Sequence, residues 1–239
     1  MKLIPLLAIL ISLTSPARAH EFWIAPKAYQ IEPGAAMVAD LLVGSDFKGS
    51  RQSYFPKRFA QFEVRLGEVQ LPVEGRLGDM PAMNKVLPEA GLWVIVHETR
   101  GDSLQYRERS LFEDFVAHKD LGDVLERHAA RGLPGLAFRE AYTLYAKALV
   151  GVGDAHGADQ TVGLHTEIVA LANPYTDDLG DGLPVRLLYE GKPRIDAQVE
   201  LFGRAPDGEV SKALYRTDAN GEATLPVEPG HEYMVNAVV

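Results

Sequence analysis

The 239-residue chain contains no cysteine. This absence excludes disulfide bonds, a thiolate nucleophile, a lipid-modified cysteine and any metal site built from cysteine ligands. A fold of this chain must therefore be stabilised by burial of apolar side chains and by backbone hydrogen bonds. Apolar residues make up 46% of the chain, which is enough for a sizeable core.

Positive charge is also scarce. The chain has 24 basic and 33 acidic residues, and without the first 19 residues, which hold Lys2 and Arg18, the balance becomes 22 against 33. Nucleic acid needs a basic face, so this class of partner is excluded from our predictions. An acidic surface favours solubility and is compatible with attracting cations.

Long apolar runs are absent except at the start of the chain. Residues 3–13 are almost wholly apolar, Lys2 precedes them, and Ala17-Arg18-Ala19 is a small-x-small cleavage site. The run is shorter than the roughly 20 residues that a membrane-spanning helix needs. The pattern predicts a cleaved signal peptide over residues 1–19. We therefore expect a periplasmic or secreted protein that does not span a membrane after cleavage and that begins at His20.

The remaining sequence has the pattern of a β protein. Residues 62–66 alternate with period two, residues 92–96 form a continuous apolar run, and Gly, Pro and Asp clusters separate the later segments. We predict strands over residues 36–43, 62–66, 92–96, 142–150, 167–171, 183–189, 197–202, 211–216, 222–227 and 233–239. Short strands with such punctuation are typical of β-sandwiches. Residues 45–58 are predicted to form a long loop. The aromatic and basic side chains of residues 47–59 make that stretch a candidate partner-facing surface, and the alternative is a loop folded back over the end of a sandwich.

Two domains follow from this pattern. We predict an N-terminal β-sandwich over residues 20–158, a second sandwich over 159–239, and a Gly- and Asp-rich linker around 151–163. A helical insert is expected at about 110–132, with Ser110 and Glu113 in capping-box positions and Gly122 breaking the helix. The chain stops within an apolar strand, which favours truncation of the second sandwich at its C-terminus.

His20 is the strongest candidate metal ligand. As a mature N-terminal residue it would offer an α-amine and an imidazole together, the pair that forms a histidine brace in copper proteins. Nitrogen donors suit nickel, cobalt, copper or zinc. The alternative is that cleavage happens to leave a histidine first. A brace also needs a second imidazole from the folded chain.

His97, His118 and His128 are the candidates for that second imidazole. On one straight helix His118 and His128 would lie about 80° out of register and about 15 Å apart along the axis, so they could share a metal only across a bend. His128 continues an apolar stripe, and the pattern favours the alternative of a core histidine with one hydrogen bond. The favoured alternative for His118 is a surface residue or a helix end cap. His97 ends an apolar strand beside Glu98.

No catalytic set is apparent. The chain lacks a G-x-S-x-G elbow, and Gly151-x-Gly153 is followed by a turn rather than a helix. We therefore predict a protein that is not an enzyme, with no catalytic residues and no cofactor-binding residues apart from metal ligands.

Several segments together resemble the bacterial DUF4198 family of exported proteins. They are HEFW at 20–23, FVAHKD at 115–120, HAARGLP at 128–134, YAKALV at 145–150, EIVALANPY at 167–175, GKP at 191–193 and TDANG at 217–221. The family has been described as the NikM-like periplasmic part of a nickel or cobalt uptake system. The resemblance implies two β-sandwiches, the second similar to Ig-like or carboxypeptidase-regulatory modules, and a chain that continues past Val239.

The resemblance and the candidate ligands lead to one function hypothesis and two alternatives. The first is periplasmic binding and delivery of a transition metal, nickel or cobalt before copper, with a membrane transporter or another envelope protein as the receiver. One alternative is a metal-free β-sandwich module that binds an envelope protein. The other is a copper redox enzyme built on a histidine brace at His20.

Overall fold

A computed structural model describes residues 21–239, and the predicted signal peptide and His20 lie outside this range. The described chain is mainly β, with two α-helices and a short 3-10 helix at Pro56–Arg58. Its N-terminal part, defined as residues 21–158, contains β1 (Glu21–Pro26), β2 (Gln30–Ile31), β3 (Ala36–Ser45), β4 (Lys48–Gln52), β5 (Phe59–Leu66), β6 (Val69–Pro72), β7 (Met83–Val86), β8 (Gly91–Thr99), β9 (Asp102–Gln105), α1 (Arg109–His118), α2 (Val124–Ala130), β10 (Arg139–Tyr142) and β11 (Tyr145–Val152).

Its C-terminal part, defined as residues 159–239, is built from strands alone within the described range. These strands are β12 (Thr166–Ala170), β13 (Leu183–Tyr189), β14 (Lys192–Pro193), β15 (Gln198–Arg204), β16 (Val210–Arg216), β17 (Glu222–Leu225) and β18 (Glu232–Asn236).

Two sheets of the N-terminal part enclose one core. In the first sheet β1, β3 and β4 pair in that order and β7 pairs with β3; the second has the order β2-β11-β8-β5-β6. All these pairings are antiparallel except that of β2 with β11. Met37 and Leu41 of β3 pack with Trp93 and Ile95 of β8 in the shared core. The apolar run of residues 92–96 is thus buried on both faces, as its continuous pattern predicts.

The two helices, which lie between β9 and β10 in the chain, form a small cluster of their own beside the two-stranded sheet of these strands. Tyr106, Phe112 and Val116 are buried there, and the ring of Phe138 packs against Phe112. The expected helices and the break between them are both confirmed, since Gly122 adopts a φ of +61° between α1 and α2. The predicted cap is wrong: α1 begins at Arg109 after Glu108, and no side chain caps it.

The C-terminal part repeats the arrangement of two sheets around one core. β12, β13 and β14 pair in that order with β17 also on β13, and the other sheet has the order β16-β15-β18. Val185 and Leu187 of β13 pack against Val199 and Leu201 of β15. All pairings in this part are antiparallel.

The outer faces of two sheets join the two parts of the chain. Side chains alternate along β1, so Ile24 enters the N-terminal core while Trp23 points to the opposite face. There Trp23 and Phe47 pack against Phe202 of β15 and Met234 of β18 in a separate buried cluster. The two parts are therefore in direct apolar contact.

A two-residue turn supplies one of these interface side chains. Ser45 pairs with Lys48 across β3 and β4, so Asp46 and Phe47 alone make the turn. Both adopt left-handed backbone conformations, with φ values of +53° and +60°. The ring of Phe47 lies edge-on to Trp23, with centroids 6.5 Å apart, and under the guanidinium of Arg204 at 4.9 Å.

Two predicted loop segments are more ordered than expected. The predicted loop 45–58 is wrong, because it contains β4 and the 3-10 helix. The Gly- and Asp-rich segment begins inside β11, and its Ala155 and Val162 are buried. Lys147 of β11 holds this segment in place by an ion pair to Asp159 at 2.7 Å.

Within residues 21–239 no helix is long and apolar enough to cross a membrane.

Candidate functional site

Three charged side chains meet in a buried cluster beside the start of β1. Glu21 is the first described residue, and Lys119 follows the end of α1. Lys119 Nζ lies 3.4 Å from Oε1 of Glu21 and donates a hydrogen bond to Oε2 of Glu200 on β15. All three side chains are buried. Because burying an isolated charge is very costly, the lysine and the carboxylates depend on one another.

Polar neighbours complete the surroundings of Glu200. Asn236 Nδ2 donates to its Oε2 at 2.6 Å, and Lys212 Nζ lies 2.9 Å from its Oε1. Burial by itself would raise the pKa of Glu200, but hydrogen bonds from Lys119 and Lys212 outweigh burial and hold the pKa below its ordinary value. Glu200 is therefore a carboxylate at neutral pH.

His118, the last residue of α1, borders this cluster with a ring that is 47% exposed. Its Nε2 lies 3.1 Å from Lys212 Nζ and 3.5 Å from Oε1 of Glu200. Partial burial and the nearby Lys212 lower the pKa of His118 below its ordinary value. A lowered pKa favours the neutral ring at pH 7, and in the tautomer that carries its proton on Nδ1 the Nε2 atom can accept a hydrogen bond from Lys212.

His97 occupies a different environment, inside the N-terminal core. It is 1% exposed, and the rings of Phe22, Phe59 and Phe62 surround it at centroid distances of 5.2, 4.7 and 4.9 Å. Neither ring nitrogen has a hydrogen-bond partner within residues 21–239. Burial lowers the pKa of His97 to about 4, so the imidazole stays neutral near pH 7.

His128 is held in the helical cluster. Its Nε2 lies 2.8 Å from the carbonyl oxygen of Pro134, and its ring packs on Phe112 and Phe138. This is the core histidine with one hydrogen bond that the sequence offered as the alternative to a metal ligand.

In the structure, the predicted ligands His97, His118 and His128 lie in three separate environments. Among residues 21–239 no group of three or more His, Asp or Glu side chains is arranged to hold a metal ion, and no contact joins two of His97, His118 and His128. His20 lies outside the described residues. Its neighbour Glu21 contacts Lys119, which adjoins His118.

Sequence reasoning missed the two residues at the centre of the cluster. Glu200 interrupts the apolar run of Val199 and Leu201, and a carboxylate in such a run is a usable signal of a buried ion pair. Lys119 carries no comparable local signal, because its carboxylate partners lie 98 and 81 residues away in the chain.

The cluster also lies at the edge of a large cleft. A volume of about 1770 Å³ extends between the insert and the C-terminal part, and Glu21 and Lys119 are among its lining residues. Elsewhere it is lined by the aromatic side chains of Tyr145, His165 and Tyr189, with the His165 and Tyr189 rings 4.8 Å apart.

Comparison of the chain with known proteins identifies its family. No curated protein and no solved structure matches it significantly. The family model described as Domain of unknown function (DUF4198) matches residues 17–239, a range that covers both parts of the fold and the charged cluster. The chain therefore belongs to the DUF4198 family, as its segments predict.

Proposed function

We propose that the protein binds a first-row transition metal, nickel or cobalt, at a processed N-terminus and delivers it in the periplasm without catalysing a reaction. One observation carries the proposal. Glu21, which follows His20 in the chain, contacts Lys119, and the neighbouring His118 carries a half-exposed imidazole whose Nε2 is contacted by the ammonium of Lys212. In this proposal, signal cleavage after Ala19 creates a chelating terminus that shares a metal ion with the imidazole of His118.

The proposed ligand set has donors from two residues. His20 would supply its α-amine and one ring nitrogen, and His118 would supply Nε2. Lys212, whose ammonium approaches that nitrogen, has a side chain that is 32% exposed and can turn to solvent. With Lys212 turned away, the carboxylate of Glu200 would face the bound cation and balance its positive charge.

His97 and His128 are weaker members of the predicted set. His97 would need the ring of Phe22 to move before a metal could reach it. His128 would have to give up its contact with the carbonyl oxygen of Pro134. His118 is therefore our choice for the second imidazole.

The same proposal includes the finer architecture. We assign residues 20–158 and 159–239 to two β-sandwich domains, the second Ig-like. The shared core of two sheets in each part supports this assignment. A membrane transporter or another envelope protein would receive the metal.

The test is titration of Ni²⁺, Co²⁺ and Cu²⁺ into protein that begins at His20, followed by calorimetry. Loss of an outer-shell partner already lowers metal affinity about 10–100-fold. We therefore expect His118→Ala to weaken binding by at least about tenfold. One additional residue before His20 should abolish the amine ligand. Affinity should rise as the pH passes the amine pKa of about 8, because the ligand must lose its proton.

A matched control is His165→Ala, which removes an exposed histidine far along the chain from α1. Binding that survives both His118→Ala and the N-terminal extension would overturn the proposed site. Tight Cu²⁺ binding with peroxide-dependent turnover would instead favour the copper enzyme, since copper binds nitrogen sites most tightly of these metals.

The metal-free interaction module remains the second candidate, and the cleft is the observation that favours it. A volume of about 1770 Å³ with aromatic walls can accept a segment of another envelope protein. Absence of Ni²⁺ and Co²⁺ binding, together with a co-purifying protein that protects the cleft from labelling, would support the module.

A further inference from the structure

A cationic surface with exposed apolar side chains lies on the N-terminal part, on residues that belong neither to the cleft lining nor to the charged cluster. We define the cationic loop surface as residues 55–58, residues 76–80 and Arg100. Backbone hydrogen bonds hold these segments together. Gly78 N donates to the carbonyl oxygen of Tyr54 at 2.9 Å, and Arg100 N donates to that of Arg58 at 2.7 Å. None of these residues lines the cleft.

The charge of this surface is opposite to that of the chain. Its four cations are Lys57, Arg58, Arg76 and Arg100, all exposed, whereas the whole chain has a formal net charge of −9. Lys57, Arg58 and Arg100 form no ion pair with any residue in the range 21–239. Arg76 lies 3.5 Å from Asp79, the one acidic residue within the surface, and its side chain is 93% exposed. Glu74 and Asp102 flank it.

Large apolar side chains protrude among these cations. Leu77 is 69% exposed, more than any other large apolar residue described, and Met80 and Phe55 are 50% and 36% exposed. Gly78, at a φ of +92°, turns the chain beside Leu77. The loop itself is anchored, because Tyr54 N donates to the carbonyl oxygen of Asp79 at 2.8 Å. The exposed side chains are thus presented by a fixed backbone.

We propose that the cationic loop surface docks on an anionic lipid bilayer. Apolar side chains flanked by lysine and arginine enter the boundary between headgroups and acyl chains, while the cations contact lipid phosphates. A protein partner would need a complementary shape, but a fluid bilayer accommodates separate protruding side chains. The inference goes beyond metal binding and does not depend on it. It adds a place for delivery: the surface of a membrane.

The test uses protein that begins at His20 and sedimentation with vesicles that contain phosphatidylglycerol, with pure phosphatidylcholine vesicles alongside. Each basic residue near an anionic surface contributes about fivefold to membrane affinity. We therefore expect Lys57→Glu/Arg58→Glu to lower binding by more than about tenfold, and physiological salt to weaken binding because it screens surface charge. Leu77→Ser/Met80→Ser should also lower binding while leaving the salt dependence unchanged.

Two control variants carry the same changes elsewhere. Arg131→Glu/Lys192→Glu alters net charge equally at exposed positions outside the surface, and Ile195→Ser/Leu214→Ser removes comparably exposed apolar side chains. Circular dichroism checks that every variant is folded. No binding to phosphatidylglycerol vesicles would overturn the proposal. An equal loss in the control pairs, or equal binding to pure phosphatidylcholine, would also overturn it.

Discussion

His97 shows how one residue can set the acid sensitivity of the fold. Its ring is enclosed by three phenylalanine rings, and its pKa is lowered from 6.5 to about 4 because burial disfavours the charged form. The unfolded chain therefore binds a proton at a higher pH than the folded chain does. Stability contributed by the neutral ring is present above pH 6.5 and is lost as the pH falls toward 4.

Urea unfolding above pH 6.5 and near pH 4 measures this effect. We expect the free energy of unfolding to fall by on the order of 3 kcal/mol across this range through His97. His97→Phe, which keeps an aromatic ring among Phe22, Phe59 and Phe62, should remove the part of the pH dependence that comes from His97 and leave the part that comes from other groups, such as His118 and Glu200. The exposed His165→Ala variant should behave like the unsubstituted protein. An unchanged pH dependence in His97→Phe would contradict this assignment.

At the scale of an element, the end of α1 is fixed to the C-terminal part by charge. Lys119 reaches Glu200, Gln198 Nε2 donates to the carbonyl oxygen of His118 at 2.8 Å, and Arg216 pairs with Asp120 at 2.6 Å. The helix thus connects the insert to β15 and β16.

Replacing the buried lysine tests this connection. Lys119→Met leaves the carboxylates of Glu21 and Glu200 with less compensation, and breaking a buried pair in this way costs about 3–5 kcal/mol. We expect chemical denaturation to show a loss of this size. The combination Lys119→Met/Glu21→Gln/Glu200→Gln removes the unpaired charges and should recover much of it. Failure of the triple variant to improve on the single variant would contradict the charge argument.

Elements differ in how well the sequence predicts them. Residues 183–189 were predicted with the bounds that β13 has, because burial pattern and turn residues agree there. β4 and β9 were missed, since their exposed polar side chains carry no apolar period and their strands form through pairing with neighbours. Of the residues in and around the charged cluster, sequence reasoning named only His118 as a candidate metal ligand. Its partner Glu200 lies far away in the chain, so only the tertiary fold shows their proximity.

At the scale of the whole molecule, the apolar interface makes the two parts dependent on each other. Trp23 and Phe47 of one part are buried by Phe202 and Met234 of the other. Lys147 adds a second link through Glu167, at 3.0 Å. We therefore expect calorimetry to show one unfolding transition for the described chain.

Phe202→Ala should separate this transition into two. Removal of a buried phenylalanine costs about 3–5 kcal/mol, and here the cost falls on the contact between the parts. Val210→Ala, at the edge of the same cluster, provides a milder matched change. A single, merely shifted transition in Phe202→Ala would show that the two parts remain coupled without this ring.

In the turn between β3 and β4, the backbone conformation favours glycine at position 47, whereas the packing between the two parts needs an aromatic ring there. A left-handed backbone at a bulky residue such as Phe47 costs on the order of 1–2 kcal/mol, which glycine would avoid. Yet glycine would take away the ring that meets Trp23 and Arg204. Phe47→Gly is thus expected to relieve the backbone strain of the hairpin turn and, at the same time, to weaken the packing between the two parts. The residue chosen at position 47 therefore sets two properties in opposite directions, the conformational strain of a surface turn and the rigidity with which the two parts are held together.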